Sequence, residues 1–299
     1  MVVNVPSIIL PSISFGPVHP FGVPRPDAVQ IKWILENYDG VILGTSQKIS
    51  EEMFERITTP RVIGTASVGI DHIHVPEAKR NLVKIYNTPK ANAQSVAEYT
   101  IGCALMCCKR LVEAGHLYLA GRDNKNLKTK PEDLSGKTLG VVGAGNISKK
   151  IMEYGQVMGM EIICWTAHPE NHQEISGHIN FVSLSELSRR SDVISVNLPN
   201  NDGTKNIISD AIIEGMKETA IFISVSRLDT IDYKVLLNKA SMHQNFYVCM
   251  DVDVDNQMRK FVPSADNVMI TPHIAGGTAE TRKRMFREVS QQIANMYRN

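Results

Sequence analysis

A glycine-containing turn in the middle of the chain has the residue spacing of a dinucleotide-binding site. Gly143 and Gly145 directly follow an apolar, strand-like run and precede a stretch with helical spacing. In such a turn the first glycine permits a tight bend, and the second lets backbone N–H groups approach a pyrophosphate at the positive end of the helix. The third position is Ser148, which is small enough to allow close packing of helix and strand. The segment therefore predicts a cofactor-binding turn that includes Asn146 and Ile147, and a tight turn that binds nothing is the alternative.

The end of the next apolar run bears on the choice of cofactor. NAD-binding folds usually place a carboxylate there, which accepts a hydrogen bond from the adenosine ribose. Thr166 and His168 occupy this place here. Neither repels a 2'-phosphate as a carboxylate would, so the sequence favours NADP slightly over NAD. For His168, a solvent-exposed loop histidine ahead of Pro169 is the alternative.

Short apolar runs alternate with helix-like stretches along the chain, and this alternation predicts an α/β fold with parallel sheets. Strands are predicted at residues 7–10, 40–44, 61–66, 82–87, 138–143, 161–165, 192–199, 220–226, 246–252 and 267–272. Helices are predicted at residues 29–38, 51–57 and 280–297, and one long helix runs from Asn92 to about Leu119. Residues 11–26 contain five prolines and predict a loop without regular structure.

Composition and charge exclude several classes of protein. The chain has 32 Lys and Arg against 31 Asp and Glu, without long runs of either sign, which argues against a nucleic-acid or membrane-surface partner. The first residues lack the basic flank and cleavage site of a secretory signal, so we expect a cytoplasmic protein.

The cysteines form no Cys-x-x-Cys pair and predict reduced core residues. A metal site at Cys103 and Cys107 is the alternative, although their spacing matches no zinc finger or ribbon.

A series of ordered motifs resembles the D-isomer-specific 2-hydroxyacid dehydrogenases, a family of glycerate, phosphoglycerate and hydroxypyruvate or glyoxylate enzymes. The motifs are RVIGTASVGIDHI (61–73), YNTPKANAQSVAEYTI (86–101), DLSGKTLGVVGAGNIS (133–148), VSLSEL (182–187), SDVISVNLP (191–199), MKETAIFISVSR (216–227), CMDV (249–252) and TPHIAGGT (271–278). The resemblance implies two Rossmann-like or flavodoxin-like domains with doubly wound parallel sheets and a cleft between them. The implied substrate domain comprises residues 1–89 and 273–299, and the implied dinucleotide-binding domain comprises residues 90–272.

The resemblance also implies the groups that act on the substrate. Arg227 matches the arginine that holds the substrate carboxylate and carbonyl, and His273 matches the general acid and base. These roles suit the chemistry, because hydride transfer to a 2-keto carbon leaves negative charge on the oxygen. Val68 and Gly69 match a loop whose backbone N–H groups bind the carboxylate. Asn92 is assigned to the same substrate site.

Three further positions match cofactor contacts of the family. Asp251 matches the acid that contacts the nicotinamide carboxamide. Pro199 matches the adenosine pocket, and Thr204 is placed in the cofactor site with it. The resemblance therefore implies that the cofactor lies along the carboxyl ends of the strands in the second domain.

One departure from the family concerns the partner of His273. The family's catalytic glutamate lies five residues after the aspartate matched by Asp251, and Asn256 stands at that position. An asparagine orients an imidazole by hydrogen bonding but does not stabilise its charged form. Asp255 and Asp253 are neighbours that can take over this role if the loop shifts slightly.

These observations favour an NAD(P)-dependent enzyme that transfers a hydride between nicotinamide and a small D-2-hydroxy or 2-keto acid. We also expect a homodimer, because the predicted helix from Asn92 is apolar on more than one face. A formate-dehydrogenase-like enzyme, in which an amide replaces the glutamate, is one alternative. A non-catalytic, corepressor-like protein that senses NAD(P) is the other; Arg227 and His273 together argue against it, and Asn256 argues for it.

Overall fold

The 299-residue chain is described here by a computed structural model. The structure describes residues 2–3, 20–21, 27–44, 48–55, 61–172, 179–253, 255–263 and 265–298. The chain divides into unit 1, Met1–Asn92 with Gly277–Asn299, and unit 2, Ala93–Gly276. The two breaks lie close to those expected after residues 89 and 272. The assignment of the units to substrate and cofactor stays a prediction.

Unit 1 contains a parallel sheet of short apolar strands. They are β1 Val2–Val3, β2 Pro20–Phe21, β3 Gly40–Leu43, β4 Val62–Thr65 and β5 Lys84–Tyr86. Their order is β2-β1-β3-β4-β5 with all pairs parallel, which is the flavodoxin-like arrangement. Helices α1 Ala28–Asn37 and α2 Val75–Arg80 belong to this unit. Helix α1 begins at a capping box in which Asp27 accepts from the backbone N–H of Gln30 at 2.8 Å.

Three predictions in unit 1 need comment beyond the confirmed elements β3, β4, β5 and α1. The predicted loop at residues 11–26 is wrong at Pro20 and Phe21, which form β2. This strand is at the edge of the sheet, where a proline is tolerated because one side of the strand has no hydrogen-bond partner. The rest of that segment and the predicted strand at 7–10 lie outside the described residues. Of the predicted helix at 51–57, the described residues form only a short 3-10 helix, Glu51–Phe54, and residues 56 and 57 lie outside the described residues.

Unit 2 contains a larger, seven-stranded parallel sheet. Its strands are β6 Thr138–Val142, β7 Glu161–Trp165, β8 Asn180–Phe181, β9 Val193–Val196, β10 Ile221–Ser224, β11 Tyr247–Val252 and β12 Val268–Pro272. The order β12-β11-β10-β9-β6-β7-β8 is that of a Rossmann sheet with one additional strand. All six predicted strands are present. Strand β8 was not predicted, because two residues carry no readable hydrophobic period.

Helices cover both faces of this sheet, which explains why its central strands are buried along their whole length and read as continuous apolar runs. They are α3 Ala93–Cys108, α4 Leu111–Leu119, α5 Asn146–Val157, α6 Leu184–Arg190, α7 Asp210–Glu214 and α8 Tyr233–Met242. One core lies between the sheet and α3 with α5, and the other lies between the sheet and α6 to α8. The unit is therefore doubly wound, as predicted.

The single long helix predicted from Asn92 to Leu119 is wrong, because the chain forms two helices there. Arg110, between α3 and α4, has a left-handed backbone with φ of 54°. Its side chain is buried and its guanidinium carbon lies 4.5 Å from the centre of the Tyr247 ring. Apolar spacing continues on both sides of Arg110, so the hydrophobic period alone does not reveal the break.

Helix α9, Ala279–Arg298, is the last element of the fold and packs on β3, β4 and β5 of unit 1.

All five cysteines are free and buried, as predicted. Within the described part of the chain, no three His, Cys, Asp or Glu side chains are placed to hold a metal ion. None of the helices described is both long and apolar enough to cross a membrane.

Candidate active site

The predicted cofactor turn lies between β6 and α5 and fits a dinucleotide. Gly143 has φ of 100°, and an added Cβ would lie 2.8 Å from the Asn197 carbonyl oxygen, so a side chain is excluded there. An added Cβ on Gly145, the N-cap of α5, would meet nothing within 4 Å. Ser148 is fully buried, in agreement with close packing of helix and sheet. The first glycine is thus required by the bend, while the second leaves open space at the helix N-terminus, so the turn fits the predicted pyrophosphate site.

A carboxylate that was not predicted lies beside His168 after the end of β7. His168 Nδ1 lies 3.1 Å from Glu170 Oε1, and both side chains are exposed. A backbone hydrogen bond at Glu170, and then His168, lower the pKa of the Glu170 carboxyl, which is therefore charged at neutral pH. Thr166 is half-buried at the end of the strand. The Glu170 carboxylate therefore adds a negative charge beside His168, close to the end of β7.

Pro199 and Thr204, both assigned to the cofactor site, belong to one turn after β9. Thr204 Oγ1 donates to the Pro199 carbonyl oxygen at 2.6 Å and accepts from the backbone N–H of Asn201 at 3.0 Å. The threonine therefore holds the conformation of this turn at the carboxyl edge of the sheet.

His273 follows β12 and is oriented by a carboxylate. Its backbone is left-handed with φ of 53°, and its side chain is 44% exposed. Nδ1 lies 2.7 Å from Asp253 Oδ1. A carboxylate only accepts hydrogen bonds, so Nδ1 carries the proton in this contact and Nε2 is left to face another partner.

Of the two acids named as replacements for the missing glutamate, Asp253 and not Asp255 lies beside His273. Asn256 is exposed and makes no described contact with the imidazole. Asp255 instead caps the following turn, where its Oδ1 accepts from the backbone N–H of the buried Met258 at 2.8 Å. Because Asp255 is committed to that turn, Asp253 is the residue that the loop brings to His273.

Asp251 holds the loop that carries His273. It is buried, and its Oδ1 accepts from Thr271 Oγ1 at 2.5 Å and from the backbone N–H of Ile274 at 2.8 Å. Its Oδ2 accepts from the backbone N–H of Ala275 at 2.8 Å. Three internal hydrogen bonds thus occupy this carboxylate, and its predicted contact with the nicotinamide carboxamide stays a prediction.

Two residues of α3 support the same loop and were not predicted. Tyr99 OH lies 2.7 Å from Thr271 Oγ1, and Ser95 Oγ donates to the Ala275 carbonyl oxygen at 2.6 Å. Burial raises the pKa of the Tyr99 phenol, which therefore keeps its proton. The spacing of Ser95 and Tyr99, four positions apart on one helix, was the signal available in the sequence.

Arg227 follows β10 at the carboxyl edge of the same sheet. The preceding Ser226 ties it to β9, because Ser226 Oγ accepts from the Leu198 N–H at 2.7 Å and donates to the Val196 carbonyl oxygen at 3.1 Å. The arginine is half-buried, and its guanidinium has no ion pair or hydrogen bond with another described residue. A partly desolvated cation without a partner favours an anionic ligand.

In unit 1, the loop after β4 has its carbonyl groups anchored. The Ser67 carbonyl oxygen accepts from Thr88 N at 2.9 Å and Thr88 Oγ1 at 3.1 Å, and the Val68 carbonyl oxygen accepts from Asn87 Nδ2 at 2.6 Å. In a trans peptide the N–H points opposite to the carbonyl. The N–H groups of Val68 and Gly69 thus point away from these anchors, and among the described residues neither has an acceptor.

Asn92, the last residue before α3, carries a buried Oδ1 to which no described residue donates. An unsatisfied buried acceptor is uncommon and marks a place where a further donor fits. Its assignment to the substrate site stays a prediction.

Comparison with known proteins identifies the family. Residues 101–275 match the family model described as D-isomer specific 2-hydroxyacid dehydrogenase, NAD binding domain. Hydroxypyruvate reductase of Thermotoga maritima is 32% identical over 266 residues, which cover 87% of this chain and 85% of that protein. The chain therefore belongs to the D-isomer specific 2-hydroxyacid dehydrogenase family.

Solved structures agree with the fold. D-lactate dehydrogenase from Aquifex aeolicus, complexed with NAD and lactic acid, is 25% identical and superposes with a TM-score of 0.79, covering 89% of this chain and 85% of its own. An acyclic imino acid reductase in complex with NADPH and D-Arg has a TM-score of 0.86 at 22% identity, with 99% of this chain and 96% of its own covered, and shows the fold alone. These findings confirm the predicted family, the α/β fold and an oxidoreductase that uses a nicotinamide cofactor.

Proposed function

We propose that this enzyme reduces a small 2-keto acid of the glyoxylate or hydroxypyruvate type to the corresponding 2-hydroxy acid, which has the D configuration where it is chiral. The contact between His273 Nδ1 and Asp253 Oδ1 at 2.7 Å carries the proposal, because it supplies an oriented proton donor despite the missing glutamate. The similarity to hydroxypyruvate reductase of Thermotoga maritima supports the substrate class.

In the proposed mechanism, the groups of the chain have separate tasks. A bound nicotinamide cofactor supplies the hydride. The N–H groups of Val68 and Gly69 hold the substrate carboxylate, and Arg227 neutralises the charge that develops on the carbonyl oxygen. His273 enters the step as the imidazolium, with a proton on each ring nitrogen, and donates its Nε2 proton to that oxygen. Asp253 accepts the Nδ1 hydrogen bond and stabilises the imidazolium before the transfer, which leaves a neutral ring.

For the cofactor, we propose that NADPH is accepted at least as well as NADH. The neutral Thr166 supports the binding of NADPH, whereas the charged Glu170 beside His168 limits the preference for NADPH over NADH. Titration of both cofactors, followed by nicotinamide fluorescence, tests it. Thr166→Asp should weaken NADPH binding more than NADH binding, and an unchanged ratio of dissociation constants would contradict the assignment of this position.

For the assembly, we propose a homodimer in which a second copy covers α4. Leu111, Tyr118 and Leu119 on this helix are 57%, 81% and 84% exposed, while the acidic Glu113 is buried. An apolar surface of this kind on a helix normally packs against a partner. Light scattering at micromolar concentration should give twice the mass of the chain, and Leu119→Glu should yield monomers.

The reaction itself is tested by following the oxidation of NADH and NADPH with glyoxylate, hydroxypyruvate and pyruvate. We expect turnover with at least one of these acids. The product from hydroxypyruvate or pyruvate should be the D isomer, whereas glycolate, the product from glyoxylate, is not chiral. Reduction of NAD or NADP by formate would support the formate-dehydrogenase-like alternative. Cofactor binding without any turnover would support the corepressor-like alternative.

A further inference from the structure

The loop after β4 contains a chain of hydrogen bonds whose direction is fixed by its last member. Ser67 Oγ lies 2.6 Å from the Gly69 carbonyl oxygen, so the serine must donate its only hydroxyl proton there. Thr65 Oγ1 lies 2.8 Å from Ser67 Oγ and must therefore donate to it. His72 Nε2 lies 3.0 Å from Thr65 Oγ1, which leaves the histidine as the donor in that contact. The chain runs from His72 through Thr65 and Ser67 to Gly69.

The surroundings of this chain favour a single proton arrangement. Thr65 is fully buried and Ser67 is nearly so, so water does not compete with these contacts. Burial lowers the pKa of His72, although Asp71 opposes this effect, and the imidazole is therefore neutral at neutral pH. A neutral imidazole has one N–H, and here that proton is on Nε2.

The final hydrogen bond sets one peptide of the proposed carboxylate loop. Because Ser67 Oγ holds the Gly69 carbonyl, the N–H of Ile70 in the same trans peptide points away from Ser67. Thr88 and Asn87 orient the two preceding peptides through their carbonyls. Each of the three consecutive peptides is thus fixed by a different donor. Only the third, between Gly69 and Ile70, is held by the hydrogen-bond chain that starts at His72.

We propose that His72 is a positioning residue for the substrate carboxylate, acting through Thr65 and Ser67 on the peptide between Gly69 and Ile70. This inference rests on the proposed function of the loop. His72 does not touch the substrate in this account. Its contribution is to keep the loop in the conformation that presents its N–H groups to an anion.

The test compares three variants by steady-state reduction of glyoxylate or hydroxypyruvate, whichever the unaltered protein turns over. His72→Leu removes the donor and should raise KM about tenfold with less than about a twofold change in kcat. His72→Gln offers an amide N–H to Thr65 and should restore most of the affinity. His74→Leu makes the same change two residues away, in a histidine that is not part of this hydrogen-bond chain, and should leave KM unchanged. The Kd of the cofactor should be the same in all three.

A second measurement tests the hydrogen-bond chain without any turnover. The ¹⁵N chemical shifts of His72 in the unaltered protein should show a neutral ring protonated on Nε2, and Thr65→Val should alter them. An Nδ1-protonated ring, or an unchanged KM in a folded His72→Leu, would overturn the inference. Absence of turnover with every keto acid would instead overturn the proposed function, while the ring shifts would still decide the hydrogen-bond chain.

Discussion

Two loops at the carboxyl ends of parallel strands, one in each unit, are fixed by hydrogen bonds of opposite polarity. The loop after β4 in unit 1 has its carbonyls held by the donors Thr88, Asn87 and Ser67, and the N–H groups of Val68 and Gly69 are left without a described acceptor. The loop after β12 in unit 2 has its N–H groups taken by the buried carboxylate of Asp251.

This difference determines what each loop can do chemically. A loop with anchored carbonyls and unpaired N–H groups binds an anion through its backbone. A loop whose N–H groups are already satisfied cannot do so, and in the proposed mechanism this loop contributes the side chain of His273 instead. Hydride transfer to a 2-keto acid needs both kinds of group, since the substrate carries a carboxylate and its carbonyl oxygen takes up a proton.

The largest effect should follow removal of the His273 imidazole from the loop after β12. His273→Gln leaves the hydrogen bonds to Asp251 intact but removes the proton donor. We expect kcat to fall by about 10² to 10⁴ while cofactor binding is retained. The measurement is steady-state reduction of the keto acid together with fluorescence titration of NADH. A kcat within twofold of the unaltered value would exclude His273 as the proton donor.

The next largest effect concerns the hydrogen bonds by which Asp251 holds the loop after β12. Asp251→Asn replaces an acceptor of three hydrogen bonds with a group that brings two donors of its own, so one backbone N–H is left without an acceptor. We expect the free energy of unfolding to fall by about 2 to 3 kcal/mol. Chemical denaturation measures this value, and Asp253→Asn is the matched control because that side chain is 73% exposed and should not change stability.

A smaller effect on activity separates Asp253 from its neighbours. Asp253→Asn should lower kcat about tenfold, because an amide orients the imidazole of His273 less well than a carboxylate and does not stabilise its charge. Asp255→Asn should leave kcat within twofold, since that carboxylate caps the turn at Met258. If the effects are reversed, the loop places Asp255 beside His273 when substrate is bound.

The smallest effect concerns the pH dependence of stability in unit 1. Burial lowers the pKa of His72 below its ordinary value of 6.5, opposed by Asp71, so the unfolded chain binds this proton more readily than the folded chain. The stability that the folded protein gains from a neutral His72 is therefore complete above the pKa of this residue in the unfolded chain. It is lost as the pH falls through the pKa of His72 in the folded chain. The Tm of the unaltered protein should fall more between pH 7.5 and pH 5.5 than that of His72→Gln. Parallel Tm curves would show that His72 titrates alike in both states.

The sequence predicted the sheet of unit 2 well because its strands are buried on both faces and read as continuous apolar runs. The turn at Gly143 and Gly145 was also predictable, since the bend at Gly143 requires a residue without a side chain. The break at Arg110 was not predictable, because the apolar period continues across it. The edge strand at Pro20 and Phe21 was missed because proline is a poor strand signal.

The partner of His273 could not be predicted from spacing along the chain. Asp253, Asp255 and Asn256 all lie within reach in sequence, and the choice depends on which side chain the backbone already uses. Asp255 is taken by the turn that the buried Met258 anchors, and this tertiary constraint leaves no trace in the sequence. In the same way, the Glu170 carboxylate next to His168 became apparent only from the folded turn.

The contrast between the two loops is tested most directly by backbone amide NMR with oxalate, a dicarboxylate that cannot be reduced in this reaction. The amide protons of Val68 and Gly69 should shift downfield on saturation with oxalate in the presence of cofactor, because they gain a charged acceptor. Those of Ile274 and Ala275, already bound to Asp251, should move far less. Large shifts at Ile274 and Ala275 with none at Val68 and Gly69 would contradict the assignment of anion binding to the loop of unit 1.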